Sequence, residues 1–357
     1  MQCKNGKQVR LFLWQIARAV GGAGFFLLLA GCVTPPGVSN NDVTGKSAAP
    51  TTSLQQIMDM EARLDRVAGA LQMANTPFCR RHERNLLGFN AQNKYSYATV
   101  PTLVAESYGL NDRLVVTGVI SGGGAEKAGL RKGDTLVSIE GKPVPRGRDA
   151  RAETVKMLSP LVAKGKPLLI QVERERRHFD LKIPLTLSCG FQVELGHTDG
   201  INSYSDGQRI LVTQGMLNFT RDDNELAYVI SKEMAHNILN HAERMKIKAT
   251  TKKMIDGLIK GLYRTAPRLP APVSRQFDVD ADTLGLAMAL RAGYDIDAAT
   301  GFWTRLDQFS AQGGTAYTTD HPAIQERLKQ MPTTISRIKS TEEKRRKAQN
   351  GEKANGR

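Results

Sequence analysis

The stretch Thr220-Arg-Asp-Asp-Asn-Glu-Leu-Ala-Tyr-Val-Ile-Ser-Lys-Glu-Met-Ala-His-Asn-Ile238 decides the fold of this chain. Thr220 offers an N-capping hydroxyl, and Asp222, Asp223 and Glu225 stand in the first turn, where acids suit a helix. Leu226, Ile230, Met234 and Ile238 recur every fourth residue. That spacing predicts a helix with one buried stripe. Lys232 and His236 lie one turn apart on it, so they face the same way, with Glu233 beside them.

In the pattern His-Glu-x-x-His, two imidazoles one turn apart bind a single zinc, and the glutamate acts as general base toward metal-bound water. Here Glu233 and His236 fit that pattern, and Lys232 stands where the first histidine would be. Upstream, Gly200 to Gly215, with Asn202-Ser-Tyr204, reads as a turn and an edge strand. Downstream, Ser274-Arg-Gln-Phe-Asp-Val-Asp-Ala-Asp282 opens a second helix ending near Gly293, and Asp320-His-Pro-Ala-Ile-Gln-Glu-Arg327 follows. Together these segments resemble the metalloendopeptidase family of HtpX and the CAAX prenyl protease, a gluzincin type, over residues 54–100 and 189–338.

The resemblance implies a mainly helical zincin-like domain with a small sheet, peptide hydrolysis, and zinc as cofactor. By position it makes Glu233 the general base, His236 a zinc ligand and Asp278 the third ligand, with Asp282 orienting a ligating histidine from behind. His321 and Arg327 match the segment that approaches the cleft. They would stabilise an oxyanion there, or else lock a helix terminus through a salt bridge. His241 lies five residues past His236, about 140° around an ideal helix, so it is not expected to complete the same site. Lys232 disturbs this scheme, because an ammonium has no lone pair and repels a metal cation. One reading has Lys232 occupy the metal's place, paired with Asp278, Asp282 or Glu233, in a pseudo-peptidase that only binds peptides. The other is a working zinc enzyme with an unusual ligand set.

Between the two parts, Arg113 to Ile120 alternates as a strand should. Ser121-Gly-Gly-Gly-Ala125, Ala128-Gly-Leu130 and Gly133-Asp134 follow, then Leu136 to Gly141. This order resembles the PDZ domain of bacterial envelope proteases over residues 101–188, with 151–164 as the groove helix and Leu168–Val172 and Phe179–Leu185 as closing strands. Such modules bind extended peptides, often protein C-termini, as an added strand. The fold class expected is therefore α+β: a helical peptidase-like domain plus a PDZ β-sandwich or barrel.

The first 18 residues carry Lys4, Lys7, Arg10 and Arg18, then Val20 to Ala30 is apolar and Leu29-Ala-Gly-Cys32 follows. A basic region, a short apolar core and small residues before a cysteine predict a signal peptide over 1–31. The ending resembles a bacterial lipobox, which implies lipidation of Cys32 and a lipid anchor in the cell envelope, on the periplasmic face of the outer membrane because Val33 follows the cysteine. Residues 32–53 read as a flexible tether. Cys79 and Cys189 flank the PDZ-like region, so in an oxidising compartment they would form a disulfide or stay as two buried thiols. Leu54, Ile57, Met60, Leu64, Val67 and Leu71 predict an amphipathic helix packed on the peptidase domain. Residues 339–357 read as a basic, disordered tail. Net charge is +15, of which +11 lies beyond the leader. The charge is scattered without an aromatic–basic surface pattern, so no nucleic-acid partner is expected.

Overall fold

The computed structural model describes residues 53–355 except 80, 98, 99, 314, 315, 322 and 323. The expected signal peptide, Cys32 and nearly all of the expected tether lie outside the described residues. Among those described, no helix is long and apolar enough to cross a membrane.

The fold is α+β. It opens with α1 (Leu54–Ala74), a 3-10 turn at Thr76–Phe78, β1 (Glu83–Leu86), β2 (Phe89–Gln92) and α2 (Thr102–Ser107). The PDZ region follows as β3 (Val115–Val119), α3 (Gly124–Lys127), β4 (Thr135–Ile139), β5 (Lys142–Pro143), α4 (Ala150–Ala163), β6 (Leu168–Arg174) and β7 (Arg177–Ile183). Then come β8 (Thr186–Cys189), β9 (Gln192–Gly196), β10 (Ser203–Ser205) and β11 (Arg209–Thr213). The helices α5 (Gln214–Phe219), α6 (Asp223–Ile238), α7 (His241–Arg244), α8 (Lys248–Ile259), α9 (Arg275–Arg291), α10 (Ala298–Ser310), α11 (Ala316–Asp320) and α12 (Ile324–Asn355) complete the chain.

The helix around Lys232 is α6, and two expectations about it are corrected. Its N-cap is Asp222, whose carboxylate accepts from the Asn224 and Glu225 amides at 2.9 and 3.0 Å. Thr220 instead terminates α5. Nor is there a single buried stripe: every residue from Glu225 to Asn237 is buried. The cause is packing on all sides, by α1, α9, α10 and the sheet strands β10 and β11. Leu226, Val229, Ile230 and Met234 are fully inaccessible. Four such side chains contribute on the order of 6–12 kcal/mol, enough to hold a helix that also buries Lys232, Glu233 and His236. On α1, Leu54, Ile57, Leu64, Val67 and Leu71 join this core and Met60 packs against it, as the periodicity predicts.

The close crossing of α6 and α9 depends on Gly285. A methyl group there would stand 2.9 Å from both the backbone N and Cα of Lys232. Backbone on both sides cannot yield cheaply, so Gly285→Ala is expected to destabilise by about 1–3 kcal/mol. A lowered urea midpoint with an unchanged slope would register it; a midpoint equal to wild type would refute the contact.

The larger sheet runs β2-β3-β4-β6-β7, with β5 on β4, and its core holds Leu114, Val116, Leu136, Ile139, Ile170 and Val172. This corrects the expected boundary at residue 101: β2 belongs to this sheet, pairing antiparallel with β3 from Phe89↔Val119 to Gln92↔Val115. Phe89 and Ala91 pack against the PDZ core, so the strand is drawn there by its own apolar side chains. β1 pairs with β8 in a two-stranded ribbon, and Cys79 is disulfide-bonded to Cys189 at its end. The third sheet has the order β10-β11-β9, with β9 and β11 parallel. The stretch read as one edge strand is thus two strands, of which β10 is the edge. The expected disordered tail is helical instead, as α12 continues to Asn355. Glu342 pairs with Arg345 and Arg346, and Glu343 with Lys347, the spacing that stabilises exposed helix.

Candidate functional site

Lys232 is fully buried, and its ammonium lies among His236 and Asp278, which the sequence marks as metal ligands, and His321, which it does not. Nζ is 3.1 Å from His236 Nε2, 3.1 Å from His321 Nδ1 and 3.3 Å from Asp278 Oδ1. Those three ligand-type atoms lie within 4.8 Å of one another. α6 supplies Lys232 and His236 one turn apart. Asp278 comes from the first turn of α9, which Ser274 caps. His321 follows the end of α11, its amide bonded to the Tyr317 carbonyl at 2.9 Å.

The proton positions follow from what each group can do. An ionised carboxylate only accepts, so at 2.7 Å from Asp278 Oδ1 the His321 Nδ1 carries a proton and donates it. The neighbouring Lys232–His321 approach is then a contact and not a hydrogen bond. Lys232 donates to His236 Nε2 and pairs with Asp278, and its charge sits 5.5 Å from the centroid of the Tyr317 ring. With Nε2 accepting, His236 donates from Nδ1 to His241 Nδ1, 2.8 Å away. Burial, then the charge of Lys232, holds His236 well below the usual histidine range. Burial, then Arg244, holds His241 down at about 4. For Asp278, burial alone would push its pKa up, but His321, Lys232 and Arg327 outweigh it and hold it well below the usual carboxylate range.

Asp282 is corrected in role, and of the two roles open to Arg327 its contacts are those of the salt-bridge lock. Arg327 does not face the cleft: Nε donates to Asp282 Oδ2 at 2.5 Å, Nη2 lies 3.0 Å from Asp278 Oδ1, and the guanidinium stacks 4.0 Å over Trp303. Asp282 orients no histidine. It accepts from Tyr228 at 2.7 Å as well as from Arg327. Its position one turn after Asp278 aims it at α12, so the pair clamps that helix. His321 stands among the ligand-type atoms with its Nδ1 committed to Asp278, so that nitrogen is not free to donate to an oxyanion. Glu233 lies on the cleft side, where Ser203 of β10 donates to its Oε1 at 2.9 Å.

Sequence reasoning missed Ser203, Tyr317 and the role of His241. His241 does not continue α6: Asn240 adopts the left-handed conformation (φ 56°) and turns the chain. The imidazole therefore returns to His236 and stacks on Phe277 at 4.2 Å. The Asn at a helix end was a legible signal for that turn.

Comparison with known proteins agrees with this layout. The family model "Peptidase family M48" matches residues 180–335, and "PDZ domain" matches residues 115–174. The chain is 27% identical over 149 residues to Metalloendopeptidase OMA1, mitochondrial, of Danio rerio, covering 35% of this chain and 31% of that protein. It is 26% identical over 136 residues to Mitochondrial metalloendopeptidase OMA1 of Schizosaccharomyces pombe, covering 35% and 40%. The chain spans about a third of the length of the curated relatives it matches. Among solved structures, the HtrA3 PDZ domain bound to a phage-derived ligand is similar at 17% identity and a TM-score of 0.23, over 30% of this chain and 88% of that one. HtrA-type protease AlgW with decapeptide is similar at 27% identity and a TM-score of 0.22, over 29% and 30%. Residues 180–335 thus match peptidase family M48 and residues 115–174 a PDZ domain, which lies ahead of that stretch and after the first core helix.

Proposed function

We propose that this chain is an envelope-anchored peptide-binding protein on a metallopeptidase frame, with its metal position filled by its own lysine. The carrying observation is Lys232 Nζ, fully buried, 3.1–3.3 Å from all three ligand-type atoms. Zinc, which the family implies, binds nitrogen at about 2.0–2.1 Å. An ion within that distance of His236, Asp278 and His321 would compete with the ammonium for one space, and His321 Nδ1 would first have to give up its proton. The residues present do not fit zinc while Lys232 holds its place, so no hydrolytic step is assigned to Glu233.

What supports binding is the set of open strand edges. β2 ends the larger sheet and β10 ends the smaller one, and each offers unpaired backbone to an extended peptide. Residues 1–32, with the lipobox-like Leu29-Ala-Gly-Cys32, support anchoring in the envelope, where capture of extended or unfolded chains is a quality-control role. The competing reading, a working metalloendopeptidase, draws on the relatives' names and on Glu233 beside the cleft.

Elemental analysis separates the two. Protein from residue 33 onward, secreted so that the disulfide forms, is expected to contain no stoichiometric zinc, while Lys232→His gains about one per chain. Wild-type protein holding zinc and cleaving casein, with cleavage abolished in Glu233→Gln, would refute the proposal.

A further inference from the structure

A second cleft, of about 950 Å³ including its open mouth, lies where the PDZ sheet meets α1 and β9. Glu61 and Asp65 of α1, Glu194 of β9, and Asn90 and Gln92 of β2 line it, together with the cations Arg151 of α4 and Lys260. Each carboxylate receives a hydrogen bond from a neutral donor. Tyr97 donates to Glu61 at 3.3 Å, Asn90 to Asp65 at 2.6 Å, and Gln192 to Glu194. Among the described residues none of the three is in an ion pair, and Arg151 is exposed to solvent. Gln92 is only 8% exposed, and its Oε1 has no hydrogen-bond partner among the described residues. A buried amide oxygen without a donor is costly to leave unpaired. Three carboxylates and a bare carbonyl thus face two exposed cations, Arg151 and Lys260, neither ion-paired with them, which leaves one negative charge in excess and the Gln92 oxygen without a donor.

The missing donor is larger than a metal ion. Among the described residues, the group close enough to share one ion is His236, Asp278 and His321, and these carboxylates are not so placed. Placement on β2 narrows the choice further. Phe89 and Ala91 point into the PDZ core, so Asn90 and Gln92 point the other way, into the cleft. A peptide added to the free edge of β2 would project alternate side chains toward the same face. We infer that the cleft takes the arginine or lysine side chain of a peptide added to β2, making the PDZ module selective for a basic residue at alternate positions. A guanidinium brings five N–H donors and one positive charge, which matches acceptors and charge together. Burial first, then the neighbouring charge of Asp65, pushes Glu61 up to about 7, and burial pushes Asp65 up to about 6. A bound cation would relieve both.

This inference rests on the peptide-binding reading, and the test separates the two. Fluorescein-labelled decapeptides ending in a free valine carboxylate, with a single Arg, norleucine or Glu at each successive position, are titrated into the full-length processed protein in mild detergent. Fluorescence anisotropy is expected to show about tenfold tighter binding for Arg than for norleucine at one position or at two alternate ones, the size of one charge-assisted contact. Glu at those positions should bind more weakly than norleucine. In Glu61→Gln/Asp65→Asn the Arg-to-norleucine ratio should fall to within about twofold of one. Glu194→Gln, which leaves α1 intact, should lower it in the same direction if the double variant does not fold. Peptides that bind with no preference for Arg at any position, or a preference that persists in the variants, would overturn the cleft's role while peptide binding stands. No binding by any peptide would overturn both.

Discussion

Lys232→Met is expected to cost about 3–5 kcal/mol of stability, because it breaks a buried ion pair by removing one partner. Methionine keeps nearly the shape of lysine and removes only the charge and the donors. Asp278 Oδ1 would lose a cation at 3.3 Å while staying inaccessible, and its Oδ2 already has no partner among the described residues. His236 Nε2 would lose the donor 3.1 Å away. His321 and Arg327 remain near Asp278, which keeps the loss below that of an isolated buried charge. Urea unfolding should show a lower midpoint at unchanged slope. Adding Asp278→Asn should cost less than the sum of the single changes, with a coupling of about 1–3 kcal/mol, since the two residues share one network. Single variants as stable as wild type would mean that the ammonium is not engaged as described, and the case against metal binding would fall with it.

Breaking the Cys79–Cys189 bond carries an effect of similar size through the unfolded chain. The bridge closes a separation of 110 residues containing the whole PDZ module. Freeing a loop of that length raises the entropy of the unfolded state by about 4–5 kcal/mol at 25 °C, with about 3–5 kcal/mol expected after native-state relaxation. Cys79→Ser/Cys189→Ser should therefore unfold at markedly lower urea than wild type. Dithiothreitol should bring wild type to the same midpoint and leave the variant where it was. A variant matching oxidised wild type would show that the β1–β8 ribbon and α1 hold the module's base unaided.

The larger elements of the fold were legible wherever side chains repeat with one period and face one environment. The apolar positions of α1 enter the core as their spacing predicts, and α9 begins directly after Ser274, where the sequence opens a second helix. The stripe on α6 was the misleading case. Its polar positions are buried too, since a helix surrounded by others has no solvent side, and periodicity records only the strongest apolar face. The tail was misread for the opposite reason: its lysines and glutamates look like a solvated coil, but their i,i+4 pairing sustains α12.

By itself, the sequence determined the two modules, the one pairing open to Cys79 and Cys189, and the residue types that gather around Lys232, because each depends on local spacing or on chemical identity. Only the tertiary structure decided what those residues do together. It seats Lys232 among His236, Asp278 and His321, turns His241 back onto His236 at Asn240, and draws Arg327 away from the cleft into a clamp on Asp278 and Asp282. These side chains come from four helices and the turn after a fifth. Their separations are set by how close the backbones can pack, above all where Gly285 lets α9 meet α6, and no periodicity along one segment records that distance.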